Sequence, residues 1–378
     1  YGGGFYDRTL AALRRKPLTL GVGYAGARLA TIYPQPHDIA LDAIVTDAWA
    51  PQVNGVVQTL TRTIAELRAV GFEVETFSPE GLPTVPCPLY PEIRLAVLAS
   101  HRLRARLREF APDALHIATE GPLGMAARRE ALAQGMPFTT AWHTRFPEYL
   151  HARLRLPMPL SYAWLRKFHA ASNCVMVPTP SVADDLALRG FRNLAVWGRG
   201  VDTTRFSPGS SSAFDGLPRP IWLSVGRVSV EKNLDAFLSL PLHGSKVVIG
   251  EGPARPALER RHPGAIFLGG RSNDALPHYY RAADVFVFPS RTDTFGLVML
   301  EAMACGLPVA AFPVAGPRDV VGGSGAGVLD ERLAIACHAA LDIAREQPRA
   351  HALRHGWAAA SERFASLLAP RGMAQRPA

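Results

Sequence analysis

Asp293 and Glu301 bracket the stretch Pro289-Ser-Arg-Thr-Asp293-Thr-Phe-Gly-Leu-Val-Met-Leu-Glu301-Ala-Met-Ala-Cys-Gly-Leu-Pro308. The apolar run Val285–Phe288 before it predicts a buried strand. The pattern after it predicts a helix running to about Gly306, where a glycine and a nearby proline stop it. Asp293, Thr294 and the amides of Phe295, Gly296 and Leu297 therefore fall where a strand hands over to a helix. In an open parallel sheet that handover faces the ligand crevice. N–H groups at a helix start suit anionic oxygens, and Glu301, two turns on, offers a second carboxylate to the same cleft. One carboxylate for sugar hydroxyls, amides for a diphosphate and one carboxylate for a ribose would make a nucleotide-sugar site. The same residues would also suit a helix that merely starts with an acid and contains a glutamate.

Other candidates fall at comparable handovers. Trp49-Ala-Pro51-Gln-Val-Asn54-Gly55-Val56-Val57 precedes a helix reaching about Ala69, and Gly55 at its start lets backbone approach a ligand closely. Ser224-Val-Gly226-Arg227-Val-Ser-Val-Glu-Lys232-Asn233 carries a guanidinium and an ammonium on one loop, suited to clamping a diphosphate. Gly250-Glu-Gly252-Pro253 resembles a phosphate loop only superficially, lacking the Gly-Lys-Ser/Thr ending, and reads as a strand-to-helix turn. Gly269-Gly270-Arg271 could offer backbone to a base. His143 ends the strand Phe138–Trp142 and could touch a substrate or serve as a structural histidine. No Asp-X-Asp and no histidine–cysteine cluster occurs, so no metal and no cofactor is expected, and cations and amides must carry the charge.

These residues need a scaffold. From Ile39 onward, short apolar strands alternate with amphipathic helices. Strands are expected at Leu41–Thr46, Val74–Ser78, Ala114–Ile117, Phe138–Trp142 and Cys174–Pro178. After the turn-rich Ser207–Ser212, more are expected at Ile221–Val225, Lys246–Gly250, Ile266–Leu268, Val285–Phe288 and Val309–Phe312. Such alternation implies mostly parallel sheets with helices on both faces. The expected plan is α/β: an irregular extension over 1–38, one Rossmann-like domain over 39–206 and a second over 207–350. A C-terminal helical segment, 351–378, would return to the first. A central cleft would separate the two doubly wound domains.

Composition narrows the class. The 378 residues are 48% hydrophobic and 19% charged, as in ordinary globular proteins. No run of about twenty apolar residues occurs. Glycines 21, 23 and 26 interrupt the weak N-terminal apolar run, so a signal peptide is not expected. Four scattered cysteines point to a reducing compartment, the cytoplasm. A net charge of +9 favours anionic partners. Nucleic acid is not expected among them, because the arginines are not interleaved with stacking aromatics. The sequence leaves the oligomeric state open.

In order along the chain, several motifs resemble those of the retaining glycosyltransferases of family 4, which have the GT-B fold. They are Thr46-Asp47 with Pro51-Gln-Val-Asn54-Gly55-Val56; His143-Thr-Arg-Phe; Arg199-Gly-Val-Asp202-Thr-Thr-Arg-Phe206; Gly226-Arg227 with Glu231-Lys232-Asn233; and Asp293 through Glu301. The likeness spans about Leu41 to Leu368. It implies that Gly55, Arg227 and Lys232 hold the donor diphosphate and that Glu301 binds the ribose. Asp293, with Thr294 and the Phe295, Gly296 and Leu297 amides, would cradle the transferred sugar, and His143 would lie on its reacting face. Asp293, His143, Arg227 and Lys232 are thus the catalytic candidates. The family's usual signature has two glutamates, and here the first is Asp293, as in the mannosyl- and sulfolipid-type subgroup. The implied reaction moves a hexose from GDP-mannose or a UDP-hexose to a lipid, lipid-linked or glycan acceptor, without a metal. A non-catalytic nucleotide-sugar-binding protein of the same fold is the alternative.

For the acceptor side, the segment 101–110 has a helical pattern with Ala99, Leu103, Leu107 and Phe110 on one face and arginines beside it. Arg153, Arg155, Arg166 and Lys167 add to the basic content. An anionic membrane surface is therefore an expected partner, with the enzyme peripheral on the cytoplasmic face. The leucines would equally suit packing on their own sheet.

Overall fold

The computed structural model describes residues 41–369 apart from 51, 53, 88, 89, 98 and 99. The expected extension over 1–38 lies outside the described residues, as do Pro51, Ala99 and the tail from 370.

The first domain comprises β1 (Leu41–Val45), α1 (Gly55–Ala69), β2 (Glu73–Phe77), β3 (Thr84–Cys87), β4 (Tyr90–Ala96), α2 (Ser100–Phe110), β5 (Ala114–Ile117) and α3 (Pro122–Ala133). It continues through β6 (Thr139–Ala141), α4 (Phe146–Leu154), α5 (Met158–His169), β7 (Cys174–Val177), α6 (Pro180–Leu188) and β8 (Leu194–Val196). The second begins with β9 (Ile221–Val225), α7 (Leu234–Leu238), β10 (Ser245–Ile249), α8 (Arg255–Arg261), β11 (Ile266–Phe267), α9 (Leu276–Ala282) and β12 (Val285–Phe288). It then runs through α10 (Leu297–Ala304), β13 (Val309–Ala311), α11 (Ala315–Val320), β14 (Gly327–Leu329), α12 (Leu333–Ala340) and α13 (Glu346–Ala352). The last described helix is α14 (Trp357–Leu367).

Each domain holds one parallel six-stranded sheet, ordered β2-β1-β5-β6-β7-β8 and β11-β10-β9-β12-β13-β14. Successive side chains of a strand face opposite sides, so a sheet covered on both faces needs continuous apolar runs. In β9, Ile221 and Leu223 enter one core while Trp222 enters the other, and β12 divides Phe286 and Phe288 from Val285 and Val287 in the same way. In β1, Ala43 and Val45 face one core and Ile44 the other. Both sheets are doubly wound as expected. In each, the first strand lies where the order reverses, so the carboxyl ends of β1 and β9 open onto the ligand crevice.

Packing decides one open reading and the element set is extended. The apolar face of α2 is consumed internally: Leu103 and Leu107 are 4% and 5% exposed in the core beneath β1 and β5. Its arginines pair with protein partners, Arg104 and Arg108 with Glu130, and Arg106 with Glu75 and the Phe77 ring. The C-terminal part of the chain is helical as expected, in three pieces separated at Leu341–Arg345 and Leu353–Gly356. The antiparallel β3–β4 hairpin and the edge strands β8 and β14 add to the expected strand set.

The α14 helix packs on the first domain. Phe364 is fully buried against Trp197, His116 and Leu60, and Trp197 Nε1 donates to Ala360 O at 3.1 Å. The chain crosses between domains twice, and the crossings touch: Val201 N donates to His355 O at 2.8 Å beside a Val201–Gly356 bridge. A Cβ on Gly200 would lie 2.5 Å from Trp357 N, so only glycine fits this approach.

Candidate active site

The handovers bring most of the candidates to one cleft. Helices α1 and α10 start face to face: a Cβ built on Gly55 would lie 3.8 Å from Leu297 Cδ1 and meet nothing nearer. The α1 start is capped by Asn54, whose Oδ1 accepts from Val56 N and Val57 N at 3.0 Å. The α10 start is shaped by Gly296, at φ +90, where a Cβ would meet Met299 Cε at 2.7 Å and Phe288 Cζ at 2.9 Å. The first turns of α1 and α10 therefore adjoin across the cleft, Gly55 beside Leu297 and Gln58 beside Glu301.

Lys232 and Asp293 meet in this cleft. Lys232 Nζ donates to both carboxylate oxygens of Asp293, at 2.6 and 2.9 Å. The Lys232 loop is held by Asn233, which adopts a left-handed conformation and donates from Nδ2 to Pro289 O at 3.0 Å. Arg227 stands at the head of the same loop, half-buried, with its backbone pinned on both sides. Gly226 N bonds Ile249 O and Val228 N bonds Glu251 O, both at 2.9 Å. Gly250 and Gly252 permit this, because a Cβ on either would fall 1.8 Å from Gly226 O or 2.3 Å from Val228 O. The Gly250-Glu-Gly252 turn thus braces the Arg227 loop by close backbone packing.

Glu301 is buried, one turn into α10. Its Oε1 accepts from Gln58 Nε2 of α1 and its Oε2 from Tyr280 OH, each at 3.1 Å. Burial pushes its carboxyl pKa above the ordinary glutamate value, while the Gln58 and Tyr280 hydrogen bonds and the Arg205 charge pull the other way. The Gln58 bond spans the cleft. So does Thr294 Oγ1, which donates to His143 O at 2.8 Å. Phe295 is buried in the second domain's core and anchors the 293–297 turn, with Gly316 packed tightly behind it.

His143 is governed by Arg199. Arg199 Nη2 lies 3.2 Å from His143 Nδ1, and Arg199 Nη1 donates to Trp197 O at 2.6 Å and Gly198 O at 3.0 Å. The guanidinium also lies over the Trp197 ring, 4.1 Å from its centroid. Arginine has only donors, so Nδ1 must accept, and the proton of a neutral ring resides on Nε2. That Nε2 is buried without a protein partner among the described residues. Burial, the Arg199 charge and neighbouring His116 hold the imidazole well below the ordinary histidine pKa. Burial also lowers Arg199, to about 9, still charged at neutral pH. The site thus presents a neutral N–H donor at His143.

Asp47, in the first motif, serves the scaffold. Its carboxylate accepts from Leu123 N, Gly124 N and Thr119 Oγ1, between 2.9 and 3.3 Å, and so caps α3 from a distance. Asp319 likewise bonds Ser181 N and Oγ at 2.8 and 2.7 Å, tying α11 to the start of α6 across the domains.

Gln58, Tyr280 and Arg199 join the site without having been singled out as site residues from the sequence. Arg199 alone left a signal, a cation between two glycines after a short apolar run; the other two look like ordinary helix residues.

Comparison with known proteins assigns the class. A family model described as Glycosyltransferase Family 4 matches residues 53–205, and one described as Glycosyl transferases group 1 matches residues 219–343. A GDP-mannose-dependent alpha-mannosyltransferase of Mycobacterium tuberculosis is 31% identical over 307 residues, covering 74% of this chain and 80% of that protein. A sulfoquinovosyl transferase of Arabidopsis thaliana is 31% identical over 317 residues, 76% of this chain and 62% of its own. An alpha-monoglucosyldiacylglycerol synthase of Streptococcus pneumoniae is 26% identical over 313 residues, 71% and 70% of the two chains. The sucrose-phosphate synthase structure from Thermosynechococcus elongatus superposes with a TM-score of 0.69 at 20% identity, over 87% of this chain and 98% of that one. The chain belongs to the family 4 glycosyltransferases with the GT-B fold, as its motifs indicated, and uses a nucleotide sugar as donor.

Proposed function

We propose that the protein is a retaining, metal-independent hexosyltransferase that uses GDP-mannose, or failing that a UDP-hexose, and acts on a lipid or lipid-linked acceptor. The observation that carries this is the two-pronged Lys232–Asp293 pair just ahead of the start of α10, whose first turn adjoins that of α1. In the ligand-free arrangement the ammonium neutralises the carboxylate. An entering donor diphosphate is a stronger partner for Lys232, with Arg227 and the helix starts, and draws the ammonium away from Asp293. Asp293 is then open to accept from hydroxyls of the transferred sugar, beside Thr294 and the 295–297 turn. Glu301 exchanges the Gln58 amide for the ribose hydroxyls.

In the transfer step the anomeric carbon's bond to the diphosphate oxygen breaks. A new bond forms to the acceptor oxygen on the same face. The acceptor hydroxyl's proton goes to the departing phosphate oxygen, so no protein general base is assigned. Arg227 and Lys232 stabilise the charge that develops on the leaving group. The neutral Nε2–H of His143 can donate to a sugar oxygen near the reacting face.

The mannosyl relatives favour GDP-mannose, and the glucosyldiacylglycerol relative favours a lipid acceptor. We place the enzyme at the cytoplasmic face of a membrane as a peripheral protein. Among the described residues no helix is long and apolar enough to cross one. A thermal-shift screen of GDP, UDP, ADP and their sugars identifies the base, because a ligand selective for the folded state raises Tm. Incubation of the stabilising sugar nucleotide with diacylglycerol and phosphoinositide acceptors, followed by NMR of the product's anomeric carbon, tests the rest. A β-linked product from an α-donor would overturn retention. Failure of any nucleotide to shift Tm would overturn the donor site.

A further inference from the structure

With α2 spent on the core, the exposed apolar residues of the first domain that cluster in sequence lie on α4, α5 and the turn between them, apart from single exposed residues such as Val70 and Leu188. Tyr162, Leu165 and Phe168 of α5 are buried against Trp142, Phe191 and the sheet. The other side of the same helix is also apolar. Leu160 is 67% exposed and Trp164, one turn on, 45% exposed; Ala163 lies between them and Lys167 ends the stripe. The turn leading into α5 continues it, with Leu154 at 53% and Leu156 at 42% exposure. That turn is a built feature: Arg155 takes a left-handed conformation and His151 Nδ1 lies 3.0 Å from Leu156 O. A helix apolar on two sides but packed on one leaves a face that needs a partner.

The charge around this face names the partner. No acidic residue occurs between Glu148 and Asp184, whereas Arg153, Arg155, Arg166 and Lys167 fall in that span. Arg155, Arg166 and Lys167 are exposed. The bordering Glu148 is occupied by Arg145 and by the Tyr162 hydroxyl. Leucines with a tryptophan and flanking cations match the boundary between acyl chains and anionic headgroups, and the acids beside α5, Glu148 and Asp185, are paired with Arg145 and Arg189. Position agrees: α4 begins at Phe146, three residues after His143, so the face and the cleft are joined by one short turn.

We propose that the Leu154–Leu156–Leu160–Trp164 face, rimmed by Arg155, Arg166 and Lys167, seats the first domain on an anionic lipid leaflet and so brings the cleft to the membrane surface. This rests on the lipid-acceptor reading for its purpose, but its test uses neither donor nor acceptor. The whole chain is floated at low salt with phosphatidylcholine vesicles and with phosphatidylcholine–phosphatidylglycerol vesicles. The protein should rise with the anionic vesicles and not with the neutral ones. The double variant L160Q/W164Q, altered only at exposed positions, should lower the floated fraction about tenfold. Brominated lipid in the anionic vesicles should quench wild-type tryptophan emission, and Trp164→Phe should remove most of that quenching. Equal flotation with both vesicles, or unchanged flotation and quenching in these variants, would overturn the proposal. So would a concentration-dependent dimer abolished by L160Q/W164Q, which would assign the face to a second copy. Nucleotide-induced Tm shifts that persist while flotation fails would leave the transferase reading standing without the membrane face.

Discussion

Lys232 and Asp293 lie 61 residues apart in sequence and share a two-pronged ion pair, Nζ to both carboxylate oxygens, in the gap where the donor diphosphate is proposed to sit. The side chains are 29% and 13% exposed, so the pair is shielded but within reach of an entering anion. Lys232→Ala removes the cation that would meet the leaving group and leaves Asp293 without its partner. Turnover should fall at least about a hundredfold, and Arg227→Ala should act comparably. Steady-state kinetics on folded protein check this, and near-normal turnover in either variant would reject the diphosphate clamp.

In the proposed donor complex Gln58 and the ribose share Glu301. The Gln58 amide holds Oε1 at 3.1 Å across the cleft and occupies one of its acceptor positions, which the proposed ribose contact exchanges. Gln58→Ala should tighten nucleoside diphosphate binding by about twofold to tenfold, the worth of one net hydrogen bond. Titration calorimetry measures it. Weaker binding would instead show that Gln58 holds the nucleotide directly.

Arg199 sets the protonation form of His143. The imidazole is held neutral well below the usual histidine range, so it should not titrate between about pH 6 and pH 8. Turnover should show no inflection from His143 in that window, and ring-nitrogen NMR shifts should report a bare Nδ1 and a protonated Nε2. Arg199→Met should erase that tautomer preference and lower kcat more than it raises KM. An imidazolium signal in the wild type near neutral pH would contradict the assignment.

Asp42, near the start of strand β1, carries a pH liability away from the cleft. Burial, reinforced by Asp113, raises its pKa from 3.8 to about 7. A carboxyl raised in the folded state stabilises the fold below its unfolded pKa, and that contribution is lost as pH rises through the folded value. Between about pH 6 and pH 8 the wild type should lose about 1 kcal/mol relative to Asp42→Asn. Paired denaturant titrations at both pH values make the comparison, since other groups cancel between the two proteins. Parallel pH responses would place an ordinary carboxylate there.

The sheet plan was legible because strands covered on both faces must be apolar at every position, as in Val285–Phe288 and Ile221–Val225. The edge strands β8 and β14 left no such signal, since each is three residues long and partly exposed. The β3–β4 hairpin was hidden by Pro86 and Pro91, residues that read as strand breakers. Within the site, Asp293, Lys232 and His143 stood out because they sit at handovers with chemically apt neighbours, and Glu301 because it follows Asp293 two turns along the same stretch. Gln58 and Tyr280 could not, because what distinguishes them is a contact with Glu301 from 243 and 21 residues away. Residue type alone left the apolar face of α2 open between a membrane and its own sheet: periodicity shows that a helix has a greasy side, and only packing shows what that side meets.

The paired crossings at Val201 and Gly356 have a mechanical consequence. Two strands of chain that run side by side through one narrow neck, touching at Gly200, behave like the spine of a book. A displacement that parts the two crossings would have to break the Val201–His355 bond, and one that parts the domains at the cleft would have to break the Gln58–Glu301, Thr294–His143 and Ser181–Asp319 contacts.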